Sequence, residues 1–187
     1  PHPKCYFRKK YDFFRLTPFR DKFEILSLAK IDFIVNIKFD VKFLKKSASE
    51  FIKNHLVKDL NVKAVVTGFD FVFGNNKVGD VDYMREYVNK TNDFEFFVVS
   101  EVKNEGNLEV SSSNIRKFLR NGDIMQANQL LTRKWTISGI VVEGERKARE
   151  FGFRTANIKM NDYCDIRKGV YLVSLELGGN YKKKLFG

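Results

Sequence analysis

The sequence contains very little cysteine, histidine and proline. Its 187 residues include two cysteines, two histidines and three prolines. Cys5 and Cys164 are too few and too far apart for a disulfide framework or a zinc site, which favours a reducing, cytoplasmic compartment. His2 and His55 are the only histidines, which argues against a histidine-ligated metal centre within these residues. No apolar run approaches the roughly 20 residues of a membrane span, so we expect no membrane partner.

Positive charge is abundant. The 34 lysines and arginines outnumber the 23 acidic residues, and the formal net charge is +11. A basic chain favours anionic partners such as phosphates, nucleotides, nucleic acid or an acidic membrane. The lysines are mostly scattered, which favours a solvated surface over a nucleic-acid track. We therefore expect no nucleic-acid partner.

Helix and strand patterns alternate through the first 132 residues. Such alternation is typical of a parallel α/β sheet, which binds ligands beyond the carboxyl ends of its strands. Helices are predicted over 17–30 and 47–60, after Asp80, over 111–120 and after Asp123; strands are predicted over 31–39, 62–71 and 94–102.

Local signals predict where several helices begin and end. Thr17 suits an N-cap with Pro18 at the first helical position. Ser47 and Glu50 form a capping-box pattern. Either Ser111 or Ser112 caps the next helix, which Gly122 stops, and Asp123 caps the following one.

The pattern changes after Trp135. Alternating strands are predicted over 137–143 and 170–177, separated by a Gly- and Arg-containing stretch over 144–165. This sequence pattern is typical of the beginning of a β-barrel domain.

The stretch GFDFVFGNNKVGD, residues 68–80, places glycine, aspartate and phenylalanine at the end of a predicted strand. Glycine would let a ligand approach the backbone. Asp70 would accept a hydrogen bond or help to hold a cation, and Phe71 and Phe73 would wall a planar ring. The alternative is a strand end followed by a turn, with the phenylalanines in the core.

Two further stretches are suited to phosphate chemistry. The serines at 111–113 would open a helix whose free amides attract phosphate, and Arg116 lies one turn further. The alternative is an ordinary N-cap with a surface arginine. Later in the chain, Thr155 and Asn157 offer neutral oxygens that suit Mg²⁺ beside phosphates, or else they belong to a polar turn.

Seven short motifs follow one another along nearly the whole chain. The motifs are Pro1-His2-Pro3, Arg15-Leu16-Thr17, Gly68-x-Asp70-Phe71-x-Phe73-Gly74 with Gly79-Asp80, Ser111-Ser112-Ser113-x-Ile115-Arg116, Asn121-Gly122-Asp123 with Ala127-Asn128-x-Leu130-Leu131, Gly139-x-Val141-x-x-Gly144, and Gly152-Phe153-x-Thr155-Ala156-Asn157. In this order they resemble the motifs of the bacterial bifunctional riboflavin kinase/FMN adenylyltransferase family, also called FAD synthetase, and Gly169-Val170-Tyr171 fits as well.

The resemblance implies a Rossmann-like nucleotidyltransferase domain over 1–132, followed by the first part of a riboflavin kinase-like β-barrel over 135–187. It implies transfer of AMP from ATP to FMN, and phosphorylation of riboflavin by ATP, with Mg²⁺. The implied flavin and nucleotide site contains Gly68, Asp70, Phe71, Gly74, Ser111, Ser112 and the catalytic Arg116. The implied kinase ATP site contains Gly144, Thr155 and Asn157, of which the last two hold the metal.

The sequence departs from the family pattern at several points. The family's first strand and its His-x-Gly-His motif would precede Pro1, and the kinase carboxylate would follow Gly187. The resemblance therefore places part of each catalytic apparatus outside these residues. Arg154 stands where proline is usual, Ala148 where glycine is common, and Ser113 keeps the hydroxyl of the usual threonine.

Two other functions are compatible with parts of the sequence. One is a different small-molecule adenylyltransferase, acting on nicotinate mononucleotide or phosphopantetheine, although the barrel beginning at Trp135 does not fit it. The other is a non-enzymatic nucleic-acid-binding module, which draws on the charge and the aromatic content.

Overall fold

The computed structural model describes residues 14–144, 152, 155–160 and 162–177, together with the backbone of 184–186. The chain divides into two units. One contains Thr17–Val110, and the other contains Phe13–Leu16 with Ser111–Gly187. The two helices that follow Ser111 group with the second unit, and the boundary predicted at 132–135 stays a prediction.

The first unit is a small α/β arrangement. Among its described residues, the strands β1 (Ala64–Gly68) and β2 (Glu95–Val99) pair in parallel from Ala64↔Glu95 to Gly68↔Val99. This pairing confirms the predicted α/β class. The elements are α1 (Phe19–Leu28), α2 (Val41–Leu44), α3 (Ala48–Glu50, continuing with π-type hydrogen bonds over Phe51–Asp59), β1 (Ala64–Gly68), α4 (Val81–Thr91) and β2 (Glu95–Val99).

Within the described residues, one face of the sheet is packed and the other is exposed. The core of this unit consists of Ala48, Ile52, Phe73, Met84 and Phe94, and Val65 and Phe96 pack against it from the sheet. Alternation along the strands sends their neighbours to the opposite face. There Val66, Phe97 and Val99 are 63%, 50% and 48% exposed.

The prediction of a strand over residues 31–39 is wrong. Residues 31–40 have no regular structure and form no ladder with the other described residues. Their apolar side chains are largely exposed, and Phe33 is 88% exposed. An alternating apolar run becomes a strand only where a neighbouring strand satisfies its backbone groups, and none does so among the described residues.

The helix ends follow the local signals closely. Ser47 and Glu50 form the predicted capping box, and Asp80 caps α4. The prediction for α1 is wrong by one position, because the helix begins at Phe19 with Pro18 in the cap position and no side-chain cap bond. Proline fixes φ near −65°, and the ψ of 166° at Pro18 is extended rather than helical.

The second unit joins two helices to short antiparallel strand pairs. Val141 pairs with Ile158, and Ser174 pairs with Phe186. These pairs agree with the predicted change, after Trp135, from an α/β pattern to the alternating strands of a β domain. The elements are α5 (Ser112–Asn121), α6 (Ile124–Leu131), β3 (Val141–Val142), β4 (Asn157–Ile158), β5 (Ser174–Glu176) and β6 (Lys184–Phe186).

A segment from the beginning of the described chain completes the second unit. The Arg15 amide donates to the Asp162 carbonyl at 3.1 Å, and the Cys164 amide donates to the Arg15 carbonyl at 2.7 Å. The Trp135 indole donates to the Leu16 carbonyl at 2.9 Å. Because these bonds use both backbone groups of Arg15, the segment is an integral part of this unit.

Candidate functional site

The loop after β1 carries the first group of predicted site residues. The Phe71 amide donates to the Gly68 carbonyl at 3.2 Å, which closes a tight turn. Phe73 and Gly79 then exchange two backbone hydrogen bonds of 2.9 and 3.0 Å. Asp70 is exposed at the tip of the turn, so its carboxylate is available to a ligand.

Gly74 is required by packing against the protein itself. Its φ is +74°, and a Cβ at this position would lie 2.7 Å from the Ala48 amide nitrogen. The next residue donates its amide to the Lys46 carbonyl at 2.7 Å. The sequence interpretation placed this glycine in the ligand site, where the lack of a side chain would let a ligand come close. In the structure, the lack of a side chain lets the backbone of α3 come close instead.

The two phenylalanines of the loop are used differently from the sequence interpretation. Phe73 is 8% exposed and belongs to the core, so of the two alternatives left open by the sequence, the core position holds for this residue. Phe71 is partly buried, and its ring stacks on that of Phe73 with centroids 5.2 Å apart. The role of Phe71 in flavin binding stays a prediction.

Thr67 is a candidate that the sequence interpretation missed. Its hydroxyl is buried at the carboxyl end of β1 and has no hydrogen-bond partner among the described residues. Its position beside Gly68 makes it a candidate for a hydrogen bond to a ligand held by this loop. The only signal in the sequence is its place directly before the glycine loop.

The second group lies at the beginning of α5. Ser111 is the N-cap, and its hydroxyl accepts a hydrogen bond from the Asn114 amide at 3.3 Å. Ser112 and Ser113 occupy the first two helical positions and are exposed. Amides at these positions have no acceptor within the helix, and the helix dipole makes this end positive.

Arg116 is held one turn inside α5. Its Nε donates to the Phe14 carbonyl at 2.6 Å, and its Nη1 donates to the Ser112 carbonyl at 3.1 Å. The guanidinium carbon also lies 5.7 Å from the centroid of the Phe14 ring. Burial lowers the pKa of Arg116, but a guanidinium remains protonated in proteins. These two bonds use two of its five N–H donors, so donors remain for an anion.

The third group is brought together by β3 and β4. Val142 pairs with Asn157, and a Cβ at Gly144 would overlap the side-chain amide of Asn157. Gly144 is therefore needed to make room for this side chain. Thr155 and Asn157 are exposed, and their neutral oxygens are of the type that Mg²⁺ accepts beside phosphates. The predicted metal ligands fit the ion by their chemistry.

The structure thus gathers the predicted residues into three groups. Gly68, Asp70, Phe71 and Gly74 share one loop of the first unit, whereas the α5 group and the β3–β4 group belong to the second unit. Several residues of the resemblance lie outside the described residues, namely Pro1, His2, Pro3, Ala148, Phe153 and Arg154.

A parallel strand pair that ends in a Gly-x-Asp loop and, in the other unit, a serine-capped helix that carries an arginine one turn inside are each features of the α/β nucleotide-binding class. The sequence model of the FAD synthetase family matches residues 1–114, and that of the riboflavin kinase family matches residues 131–186. The chain belongs to the FAD synthetase family.

Individual relatives agree with this family. The chain is 35% identical over 182 residues to a bifunctional riboflavin kinase/FMN adenylyltransferase of Buchnera aphidicola, covering 97% of this chain and 58% of that protein. It is 34% identical over 183 residues to the protein of the same name from Listeria monocytogenes, covering 96% and 56%. The chain spans about half the length of the curated relatives it matches.

A solved structure also resembles this fold. It is described as a macrolide-efflux protein from Streptococcus pneumoniae, and it matches with a TM-score of 0.77 and 26% identity over 91% of this chain and 53% of that one. Within the described part of the present chain, no helix is both long and apolar enough to cross a bilayer. Among the same residues, no group of three or more His, Cys, Asp or Glu is placed to hold a metal ion.

Proposed function

We propose that the chain acts in FAD biosynthesis. It transfers AMP from ATP to FMN, which gives FAD and pyrophosphate, and the region after Trp135 contributes to phosphorylation of riboflavin to FMN. The observation that carries the first reaction is the open start of α5, where two amides without helical acceptors precede a fixed guanidinium. The enzyme works in the cytoplasm on small molecules, without a nucleic-acid or membrane partner.

Adenylyl transfer requires charge neutralisation rather than a covalent enzyme intermediate. A phosphate oxygen of FMN attacks the α-phosphorus of ATP, the new P–O bond forms, and the bond to pyrophosphate breaks. The amides of Ser112 and Ser113 and the remaining donors of Arg116 bind the phosphate oxygens and stabilise the charge that develops on them. Asp70 accepts a hydrogen bond from a bound flavin or nucleotide.

The kinase half depends on positioning of Mg-ATP. Mg²⁺ would be held by Thr155 and Asn157 together with phosphate oxygens, and it supplies charge neutralisation when bound. Within the chain, Gly144 keeps the side chain of Asn157 in its place on β4.

The proposal is tested on a full-length enzyme that contains this chain. We expect Arg116→Ala to lower the rate of FAD formation from FMN and ATP by about 10²-fold or more, because an electrostatic donor to the transition state is lost. Arg120→Ala is the matched control, since this arginine lies one turn further on the same helix and is exposed. A folded Arg116→Ala enzyme with unchanged turnover would refute the role of α5.

The kinase activity has its own assay. Full-length enzyme is incubated with riboflavin and Mg-ATP, and FMN is separated and quantified. We expect FMN to form, and Asn157→Ala to reduce its rate more than it reduces adenylyl transfer. A steep salt dependence of RNA or DNA binding, with neither flavin product, would instead favour a nucleic-acid-binding module.

A further inference from the structure

Three titratable side chains of the first unit form a hydrogen-bonded chain. Lys46 Nζ lies 2.7 Å from His55 Nε2, and His55 Nδ1 lies 2.9 Å from Asp59 Oδ2. Lys46 comes directly before the N-cap of α3, whereas His55 and Asp59 lie four residues apart on the π-type part of that helix. We call these three residues the Lys46 triad.

The contacts determine which ring nitrogen carries the proton. An ammonium group only donates, so a Lys46 ammonium requires His55 Nε2 to accept. His55 Nδ1 then carries the hydrogen and donates it to the Asp59 carboxylate. In this arrangement one ring nitrogen is directed at the lysine and the other is anchored by a carboxylate.

Aromatic packing holds the ring in this position. The His55 ring centroid lies 5.8 Å from that of Phe43 and 5.9 Å from that of Phe51. The side chain of His55 is 19% exposed, while that of Asp59 is 56% exposed. The Lys46 ammonium also lies 5.9 Å from the Phe43 centroid. Lys46 itself is partly exposed. The triad thus has a fixed geometry, and its lysine can be reached from solvent.

The geometry points to Lys46 as a site of acylation by an acyl thioester or an acyl phosphate. A nucleophile, a base within hydrogen-bond reach and a group that orients the base are the three parts of an activated nucleophile. None of these residues belongs to the groups assigned to the flavin or nucleotide chemistry, so the inference does not depend on that function.

The acylation step conserves atoms and charge. The Lys46 ammonium gives one proton to His55 Nε2, and the resulting imidazolium is stabilised by Asp59. The free amine attacks the acyl carbonyl, an N–C bond forms, and the C–S or C–O bond of the donor breaks. The departing thiolate or phosphate takes a proton from the imidazolium, and the amide nitrogen loses its remaining extra proton to solvent. Lysine ends as a neutral amide.

Other lysines have different partners. Lys90 and Lys103 each lie 3.5 Å from a glutamate oxygen, in ion pairs with Glu86 and Glu101. A glutamate is a weaker base than imidazole, so it stabilises the ammonium without accepting its proton readily. Lys45 is exposed and directly precedes Lys46 in the chain, which makes it a matched internal comparison.

The test compares two neighbouring lysines in the same folded chain. The protein is incubated with acetyl phosphate, and separately with acetyl-coenzyme A, and acetylation at each lysine is followed by quantitative peptide mass spectrometry. General-base assistance gives about 10²–10⁴-fold where it is fully used, so we expect Lys46 to react at least about tenfold faster than Lys45.

Two variants separate the triad from mere accessibility. His55→Gln keeps a hydrogen-bonding side chain of similar size but removes the base, and it should bring the Lys46 rate to that of Lys45. Asp59→Asn should give an intermediate rate, with Lys45 unchanged in both variants. Circular dichroism verifies the fold. Equal rates at the two lysines in the unmodified protein, or a rate ratio that His55→Gln leaves intact, would overturn the proposal.

Discussion

At the scale of single residues, Gly74 and Thr67 show opposite relations to their surroundings. Gly74 adopts a φ of +74° and touches the backbone of α3, so every other residue type is disfavoured by strain and by space. Thr67 has a buried hydroxyl that the described residues leave unsatisfied, so a residue without the hydroxyl would fit as well in the unliganded chain. Gly74 is explained by the fold, and Thr67 stays a candidate for contact with a ligand.

We expect Gly74→Ala to destabilise the first unit by about 1–3 kcal/mol or more, because it adds left-handed strain to a backbone clash. Gly152→Ala is the control, since Gly152 has a φ of +79° but no atom of the described residues lies within 4 Å of the position that a Cβ would occupy. Urea unfolding measures both free energies. Equal losses in the two variants would show that contact with Ala48 is unimportant.

Thr67→Val should leave the unliganded stability unchanged or raise it, because removing an unsatisfied buried hydroxyl removes a desolvation cost of about 1–3 kcal/mol. Thr91→Val provides the contrast, since the Thr91 hydroxyl donates to the Tyr87 carbonyl at 3.1 Å. If Thr67 completes a ligand site, Thr67→Val should also weaken binding of FMN or ATP in a calorimetric titration. Loss of stability without any change in binding would contradict this interpretation.

At the scale of elements, a feature was predictable from the sequence when the interaction that forms it joins residues close together in the chain. Helix ends were predictable at Ser47, Asp80, Ser111 and Gly122 because each cap bonds to an atom within a few residues. The strand predicted over 31–39 failed because a strand needs a partner that the local sequence does not specify. Prediction of the candidate site was limited in the same way, because some of its contacts join distant parts of the chain. The serine cap of α5 was predictable, but the bond from Arg116 to the Phe14 carbonyl, 102 residues away, was not.

The capping box of α3 should make stability depend on pH in the acid range. The Ser47 amide, followed by the Ser47 hydroxyl, lowers the pKa of Glu50 below its ordinary value of 4.5. A depressed pKa means that this contribution is present above pH 4.5 and is lost as pH falls through the folded-state pKa. Glu50→Gln should therefore show a shallower loss of stability on acidification.

Acid titration of the thermal midpoint checks this dependence. Ser47→Ala removes the hydroxyl that bonds to Glu50 but keeps the amide, so we expect its pH profile to lie between those of the unmodified protein and Glu50→Gln. Identical slopes in all three proteins below pH 4.5 would mean that the capping box does not favour the charged carboxylate on folding.

At the scale of the whole molecule, the second unit is discontinuous in sequence. The backbone amide of Arg15 donates to the Asp162 carbonyl, and its carbonyl accepts from the Cys164 amide. The side chain of Arg15 also forms an ion pair with Asp162. The side-chain pair spans 147 residues. Contacts of this range require the entropy of closing a long loop to be lost before they stabilise the fold. The unit is therefore held together by a contact that no local pattern predicts.

Arg15→Pro should destabilise the second unit selectively, because proline cannot donate the hydrogen bond to the Asp162 carbonyl. Arg15→Ala keeps this bond and loses only an ion pair, which at a partly exposed position contributes at most about 1 kcal/mol. Hydrogen exchange should show lost protection around Tyr163 and Cys164 in the proline variant alone. The same protection in both variants would mean that the backbone bridge contributes little.

The bridge at Arg15 also fixes an order of events during synthesis. A ribosome releases residues 14–16 long before it has made Asp162 and Cys164, so one half of the bridge must wait in the nascent chain while most of its partner unit is still untranslated. The backbone bridge of the second unit can therefore close only after Cys164 has left the ribosome.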